Sequence, residues 1–597
     1  MPLFATLRPA IVAACVALGG VAACTPTDPP PTPTQIIAAG NGLTWYRGNL
    51  HTHTLWSDGQ ALPDTVVAWY RGNGYQFLAL SEHDLLPEGD RWIAVDQLPA
   101  GAHTALPQVY ADGDGLREQD GRREVRLRRQ DELEARYAQP GQFLLLQAEE
   151  ISDNVGPVSI HVNAVNLPTR VSPARGSDVN GTIEADFDAA ASAGRAAGQD
   201  VLLQLNHPNF THSVTAEQLM DLRGSPFFEV YNGHPLSDNL NDGLRPSVER
   251  MWDIALAWRL DVLGLPPLYA TATDDSHSDP AGGDAPPGRG WIMVLADALE
   301  PASLFGAMRE GRFYASTGVR LRRIVATGDR MEVEVDAEPG IDYRIEFIGT
   351  RSRFDVASAP ATSATGRPLY ASRRHHDAIG EVFAEHAATR AVYRFQADDL
   401  YVRARVTASR RHPRPSQPLQ FEQAWVQPLV GPAGREPGRR GLAAPESADV
   451  SLHWGVTRRM QPMVPGEADA LLGARARGAG CALDALGDGT GRATTTFRSG
   501  DSALFSGWIG NPARGEAADW LAVVLQGASG SYLGEGAPTR ARPDVAQAFG
   551  KPSMEASGYT LGFELANVEP GEYRIRLVGY RKGRAEACDS GKALKVR

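Results

Sequence analysis

From about residue 43 to residue 320, short apolar runs of strand type alternate with stretches of helical pattern, and few folds accommodate that order. "FLALSEHD", "FLLLQAEEIS", "DVLLQLNHP", "FFEVYNG", "LYATATDDSH" and "WIMVLAD" read as strands. "LPDTVVAWYRGNG", "FDAAASAGRAAG" and "SVERMWDIALAWRL" space their apolar residues as helices do, several with start or stop signals. Strand and helix in alternation over this length imply an α/β fold with a parallel sheet, and a (β/α) barrel is the leading expectation. Residues 88–140 interrupt the pattern with polar sequence, "REQDGRREVRLRRQDELEARY". They read as an insertion with a charged helix, either a lid or a solvated excursion.

The period changes after "GRFYASTG". "LRRIVATGDRMEVEVDAEPGIDYRIEFIGT", "LYVRARVTASR" and "QAWVQPLV" alternate apolar and polar residues as antiparallel strands do. A small β-domain is expected over 321–430, a linker over 431–449, and a second, sandwich-like β-domain over 450–597. A chain of 597 residues is too long for one core, which fits this division.

The first residues have a different character. Arg8 precedes "PAIVAACVALGGVAAC", an apolar run too short to span a membrane convincingly. It ends in small residues before Cys24 and resembles a bacterial lipoprotein signal over 1–24, in which Cys24 becomes the lipidated N-terminus; an ordinary secretory signal is the alternative. Residues 25–42, with "TPTDPPPTPTQ", read as a Pro-rich tether. The expected location is the cell envelope, periplasmic or at the outer membrane, with secretion as the alternative. Cys481 and Cys588 then remain as an even pair in an oxidising compartment, and a disulfide between them is expected over two separate thiols. The net charge of −12 argues against a nucleic-acid partner.

Nine of the fourteen histidines fall between 51 and 277. Most lie at the ends of expected strands, where a (β/α) barrel carries its active site. "NLHTHTLWSDG" places His51 and His53 two apart on a strand, on one side of it, with Asp58 in the next loop. "SEHD" places His83, "AEEIS" Glu149 and Glu150, "SIHVN" His161, "LNHP" His207, and "TDDSH" Asp275 and His277. Imidazole and carboxylate together suit zinc, iron and manganese. One ion needs three or four protein ligands, so this set is sufficient for more than one.

"GNLHTHTLWSDG", "LALSEHD", "EIS", "NHP" and "DSH", in this order, resemble the polymerase-and-histidinol-phosphatase (PHP) superfamily. Within it the chain looks most like the carbaryl-hydrolase-like metallohydrolases, and "GRFYASTG" and "QAWVQPL" fit that branch. The resemblance covers about 43–430. It implies a distorted (β/α)7 barrel with two to three divalent ions (Zn, Mn or Fe) at its mouth. Carried over by motif, His51 and His53 would bind the first ion with Glu150 and Asp275. Glu150 would bridge to a second ion held by His161 and His207, and Asp58, His83 and His277 would hold a third. Glu150 is chosen over Glu149 because Ile151-Ser152 follows it, and Asp275 over Asp274 by the pattern Asp-x-His. The family often has histidine at the position of Asp58; a carboxylate there shifts preference toward harder ions such as Mn²⁺. The competing amidohydrolase barrel usually bridges its metals with a carboxylated lysine, and the barrel region contains no lysine.

The implied activity is hydrolysis of a small anionic substrate by a metal-bridging hydroxide. A phosphoester comes first, a carbamate, amide or ester second, and a non-catalytic envelope scaffold is the reading of another class. His234 and His212 lie after strand ends and are candidates to protonate a leaving group or position substrate. Arg289 in "PPGRGW" is a candidate anion binder or a structural arginine, and Asn232 is a weaker pocket candidate.

Overall fold

A computed structural model describes residues 42–597 except 157, 241–244, 363–367, 369, 418–419, 436–439, 441, 451–457, 474–479, 489–492, 537, 539 and 582–583. The expected signal, Cys24 and the tether up to residue 41 lie outside the described residues. Among the described residues, no helix is long and apolar enough to cross a membrane.

One mixed sheet organises the first two-thirds of the chain. Its strands are β1 (Thr44–Asn49), β2 (Phe77–His83), β3 (Leu144–Val155), β4 (Val158–Val165), β5 (Leu202–Leu205), β6 (Phe227–Asn232), β7 (Tyr269–Thr273), β8 (Trp291–Ala296), β9 (Phe313–Ser316), β10 (Tyr343–Arg351), β11 (Glu381–Ala387), β12 (Asp399–Arg411) and β13 (Phe421–Val430). They lie in the order β7-β6-β5-β4-β3-β2-β1-β8-β9-β13-β12-β10-β11. β2, β5 and β6 are buried almost throughout, which is why their sequences run apolar instead of alternating. Helices α1 (Pro63–Gly72), α2 (Val179–Ala197), α3 (Val248–Trp258) and α4 (Pro301–Arg309) lie between strands. α2 begins where the Asp178 carboxylate accepts from Gly181 N and ends at Gly198 with φ 67°.

The parallel sheet expected from the alternation is found in part, within a mixed sheet. β1–β2, β2–β3, β5–β6 and β6–β7 are parallel, but β3–β4, β4–β5, β1–β8 and β8–β9 are antiparallel. The reason at β4 is local. Only residues 156 and 157 separate it from β3, which suits a hairpin and is far too short for a crossover. The ladder is also open. No described strand pairing joins β7 back to the other end, so a closed barrel is not drawn by these hydrogen bonds. Beyond the strand ends, β1 and β7 approach through one parallel bridge, Thr52 to Ser276. There His53 N donates to Ser276 O at 3.0 Å and Asp275 N to His51 O at 3.1 Å. That junction sets His51, His53 and Asp275 side by side.

The sheet runs without interruption from β9 into β13 and the strands of 321–430. A three-stranded sheet, Leu321–Ala326, Arg330–Val335 and Arg390–Arg394, covers it around Ile324, Val333, Phe347 and Val406. From Arg458 onward a five-stranded and a six-stranded sheet pack around Phe505, Phe563, Leu521 and Leu577, a β-sandwich. Cys481 and Cys588 join these two sheets in a disulfide across 107 residues. Replacing both by serine is expected to destabilise the sandwich by about 2–4 kcal/mol, because the unfolded chain regains that loop's freedom. Calorimetry of the full chain should show one transition lowered with metal content unchanged; an unshifted melt would remove the disulfide from the native protein.

Candidate metal centre

The nine side chains from six separate stretches converge on one site. Glu150, fully buried on β3, is at its middle. Its Oε2 lies 3.2 Å from His51 Nε2, His53 Nε2 and His83 Nδ1. Its Oε1 lies 3.1 Å from His161 Nδ1 and 3.2 Å from His207 Nε2. One carboxylate therefore faces two groups of imidazoles through its two oxygens. Asp275 Oδ1 lies 3.3 Å from both His51 Nε2 and His53 Nε2. On the outer side, Asp58 is 3.3 Å from His277 Nε2, 3.6 Å from His83 Nε2 and 3.8 Å from His53 Nδ1.

Four buried atoms test whether a metal fits. His51 Nε2, His53 Nε2, Glu150 Oε2 and Asp275 Oδ1 have no hydrogen-bond partner. Orphaned buried polar atoms are costly, and four of them facing one another need a common partner. Tetrahedral bonds of about 2.0–2.2 Å would place ligand atoms about 3.3–3.6 Å apart, close to the spacings found here. The donor set of histidine and carboxylate suits a divalent transition metal. Ligand-compatible groups also form from His53, Asp58, His83 and His277, from His51, Glu150 and His207, and from His83, Glu150 and His161.

An outer layer orients these ligands, and its main member escaped sequence reading. Glu229, in the apolar strand "FFEVYN", accepts at Oε1 from His51 Nδ1 at 2.8 Å, which directs His51 Nε2 inward. It also accepts from Thr273 Oγ1 at 2.6 Å and from His207 N at 2.7 Å, so one carboxylate ties three strand ends together. Asn206 Nδ2 donates to Glu150 Oε1 at 2.8 Å, and Ser152 Oγ lies 2.7 Å from His83 Nδ1. Asn232 Nδ2 donates to Glu229 and, at 3.1 Å, to Asp275 Oδ2. Asn232 thus supports a ligand. Asp275 itself has φ 46°, a left-handed conformation that costs a non-glycine residue on the order of 1 kcal/mol and is held by the bridge to His51.

The two rejected acids have other work. Glu149 points to the opposite face of β3 and accepts from Val171 N at 2.8 Å. Asp274 accepts from Tyr70 Oη and from Gly288, Arg289 and Gly290 N, which fixes the following loop. The 88–140 insertion holds a small sheet and the helices Ala100–Val109 and Gln130–Tyr137. Leu98, Ala102, Leu106, Val125 and Leu127 from it enclose Leu55 and Trp56, and Trp56 Nε1 donates to Arg128 O. It is therefore packed, and it clamps the loop between His53 and Asp58.

His234 lies at the edge of the cluster, its ring 5.1 Å from His277 and 5.6 Å from Phe210. Its Nδ1 accepts from Leu236 N at 3.2 Å, so the neutral ring carries its proton on Nε2. His212 is 3.0 Å from Asp238 Oδ2. Arg289 is not directed at the cluster. Its guanidinium donates to the carbonyls of Arg414, Gly233, Asp284 and Pro415, which makes it a strut between loops.

The electrostatics without metal are those of protons standing in for cations. Burial opposes charge throughout, yet the neighbouring histidines hold Glu150 and Asp275 well below the carboxylate range. Burial likewise works against His53, but Asp275 and Glu150 raise it to about 10, and His51 is raised by Asp275, Glu150 and Glu229. Both rings are thus protonated at neutral pH before loading and must lose those protons to coordinate. Loading at pH 7.5 is expected to release on the order of two protons per chain. Apparent affinity should rise with pH up to about 10, the value for His53. Titration calorimetry in buffers of different ionisation enthalpy measures this; metal uptake without proton release would remove His51 and His53 from the ligand set.

No family model matches the chain, and no curated protein matches it. Among solved structures it is similar to a two-domain protein of Bacteroides vulgatus containing a predicted PHP-like metal-dependent phosphoesterase, at 15% identity and TM-score 0.29, over 64% of this chain and 95% of that one. It is also similar to an amidohydrolase of Chromobacterium violaceum with bound sulfate and no metal, at 14% identity and TM-score 0.22, over 45% of this chain and 96% of that one.

Proposed function

We propose that the chain is a metal-dependent hydrolase of the PHP type that cleaves phosphoesters of small molecules. The observation that carries this is the cluster around Glu150, with its four orphaned ligand atoms and overlapping ligand groups. His51, His53, Glu150 and Asp275 would hold one ion, His161 and His207 with Glu150 a second, and Asp58, His83 and His277 a third. Divalent ions bound there would acidify a coordinated water and offset the charge of an anionic substrate. Asp58, Glu150 and Asp275 are the carboxylates of the ligand set and Glu229 adds a fourth behind His51, so three divalent ions would leave the mouth net positive, while two would only balance it. A net positive mouth favours a phosphoester over a neutral carbamate, amide or ester.

The chain's own residues do the rest. Glu229 and Asn232 hold His51 and Asp275 in place. His234, kept neutral by burial, presents Nε2–H at the edge of the cluster, where it can hydrogen-bond a substrate oxygen and position the substrate. We place this site in the cell envelope, on a chain lipidated at Cys24. The Cys481–Cys588 disulfide supports an oxidising compartment, and mass spectrometry of the mature N-terminus tests the lipid.

The test is metal content of the purified mature chain, with p-nitrophenyl phosphate, bis-p-nitrophenyl phosphate and p-nitrophenyl acetate assayed on the same sample. Two to three Zn, Mn or Fe per chain are expected, with phosphoester turnover lost in His51→Ala. Preferred turnover of the acetate would move the reading to carbonyl chemistry. Metal that cannot be loaded, with no turnover, would leave a scaffold.

A further inference from the structure

A cleft of about 180 Å³ is walled by residues far apart in sequence, among them Pro235, Gly283, Asp284, Arg289, Gln417 and Arg540. Pro235 follows His234. Gly283 and Asp284 precede Ala285, whose carbonyl accepts from His277 N at 3.0 Å. The cleft is thus one residue removed from His234, whose ring is 5.1 Å from that of His277, and one residue removed from the Ala285–His277 contact, while Arg540 comes from the C-terminal sandwich.

The sandwich is anchored where it reaches the mouth. Arg245 lies 4.9 Å over the Trp520 ring, and Arg411 is 3.8 Å from Glu555. Arg540 N donates to Gly558 O at 2.9 Å. A Cβ on Gly558 would sit 2.5 Å from Arg540 O, so glycine is what permits this close approach. Two residues on, Arg542 is paired with Asp544 and Asp484. The backbone carrying Arg540 is thus fixed from both sides.

The arginines here differ in what they have left to give. Arg289 donates to four carbonyls, and Arg542 has two carboxylates. Arg540's guanidinium has no hydrogen-bond or ion-pair partner among the described residues. A guanidinium with donors to spare, carried on an anchored backbone at a cleft, suits a carboxylate or phosphate, which it can engage through two parallel hydrogen bonds. Asp284 also lines the cleft but is exposed, so water screens its charge more than that of a buried acid. Clefts between packed domains are also common places for small-molecule binding.

We propose that Arg540 is a specificity-determining residue of the metal centre. It binds a second anionic group, carried on the leaving-group half of the substrate. This rests on the phosphoester reading above. In the reaction, water adds oxygen to phosphorus, the phosphorus–oxygen bond to the leaving group breaks, and a proton ends on the released hydroxyl compound. With 4-carboxyphenyl phosphate the products are phosphate and 4-hydroxybenzoate.

The experiment compares 4-carboxyphenyl phosphate with phenyl phosphate on the full, metal-loaded chain. The wild type should prefer the carboxylated ester. In Arg540→Ala that preference, as a ratio of kcat/KM values, should fall about tenfold, mainly through KM, with partial recovery in Arg540→Lys. A preference that is absent or unaltered overturns the subsite. Equal loss of both substrates with a lowered melting temperature also overturns it, as a structural effect. A second arm measures calorimetric binding of 4-carboxyphenylphosphonate, which cannot turn over. If neither ester is hydrolysed but this binding weakens about tenfold in Arg540→Ala, the hydrolase reading fails and the subsite stands. If the phosphonate fails to bind the wild type, or binds wild type and variant alike, the subsite fails whatever the turnover.

Discussion

Glu150→Gln is expected to strip most of the metal and to lower turnover by at least about 10³-fold, while the protein stays folded. Glu150 approaches five imidazoles, three through Oε2 and two through Oε1. Glutamine keeps the volume and one acceptor. It removes the charge and turns a donor toward nitrogens that should coordinate metal. The loss therefore falls on both imidazole groups together, which distinguishes it from loss of a peripheral ligand such as Asp58. The control is the next residue. Glu149→Gln alters a carboxylate that accepts from Val171 N on the other face of β3, and it should retain full metal. Elemental analysis and bis-p-nitrophenyl phosphate turnover on both variants decide the matter. Full metal content in Glu150→Gln would sink the bridging assignment, and equal losses in the two would show damage to β3 instead.

The same neighbouring pair shows what the sequence could disclose. Adjacent strand residues face opposite sides, so one of Glu149 and Glu150 had to point away from the cluster. The His-x-His spacing was readable for a similar reason. Side chains that meet at one metal must leave strand ends at matching heights, which ties ligand chemistry to strand position. Glu229 was not readable, because its role is to hold His51 Nδ1 from a strand 178 residues away, and no local spacing marks such a contact. Arg289 was ambiguous on the same ground. Its partners at Arg414 and Pro415 arrive from 125 and 126 residues along the chain, and only packing shows its donors to be spent. β4 escaped as a strand because "SIHVN" stood out only for His161; the two-residue gap before it carried the information on its direction. The change of period near 320 was legible as a change of pattern. The pattern could not tell that β13 continues the same sheet next to β9, since that pairing depends on register and not on composition.

That continuity leads to a second large effect. Arg403→Met is expected to destabilise the protein by about 3–5 kcal/mol, and to lower the melting of 43–320 and 321–430 together. Arg403 sits on β12 and is 1% exposed. Its Nε and Nη2 donate to the two oxygens of Asp253 on α3 at 2.8 and 2.6 Å, and Nη1 donates to Glu249 at 2.7 Å. The guanidinium also lies 4.8 Å over Trp252. Arg405 continues the network from Glu249 to Glu346. Desolvating such a pair is costly, so its presence is not itself a large gain. Removing one partner is another matter, because methionine leaves the Asp253 charge buried with, among the described residues, only Tyr401 Oη to satisfy it. The double variant Arg403→Met/Asp253→Leu takes both charges away and should recover most of the loss. Glu249, which burial pushes up but Arg403 and Arg405 hold down at about 2, adds a pH signature. Its folded value is depressed, so its contribution is complete above the unfolded carboxylate value of about 4.5 and is lost as pH falls toward 2. Denaturant titrations of the wild type at pH 7 and pH 3 should therefore differ more than those of Arg403→Met. If Arg403→Met costs under about 1 kcal/mol, or if 321–430 melts alone while the metal centre stays loaded, the α3–β12 network does not couple these regions.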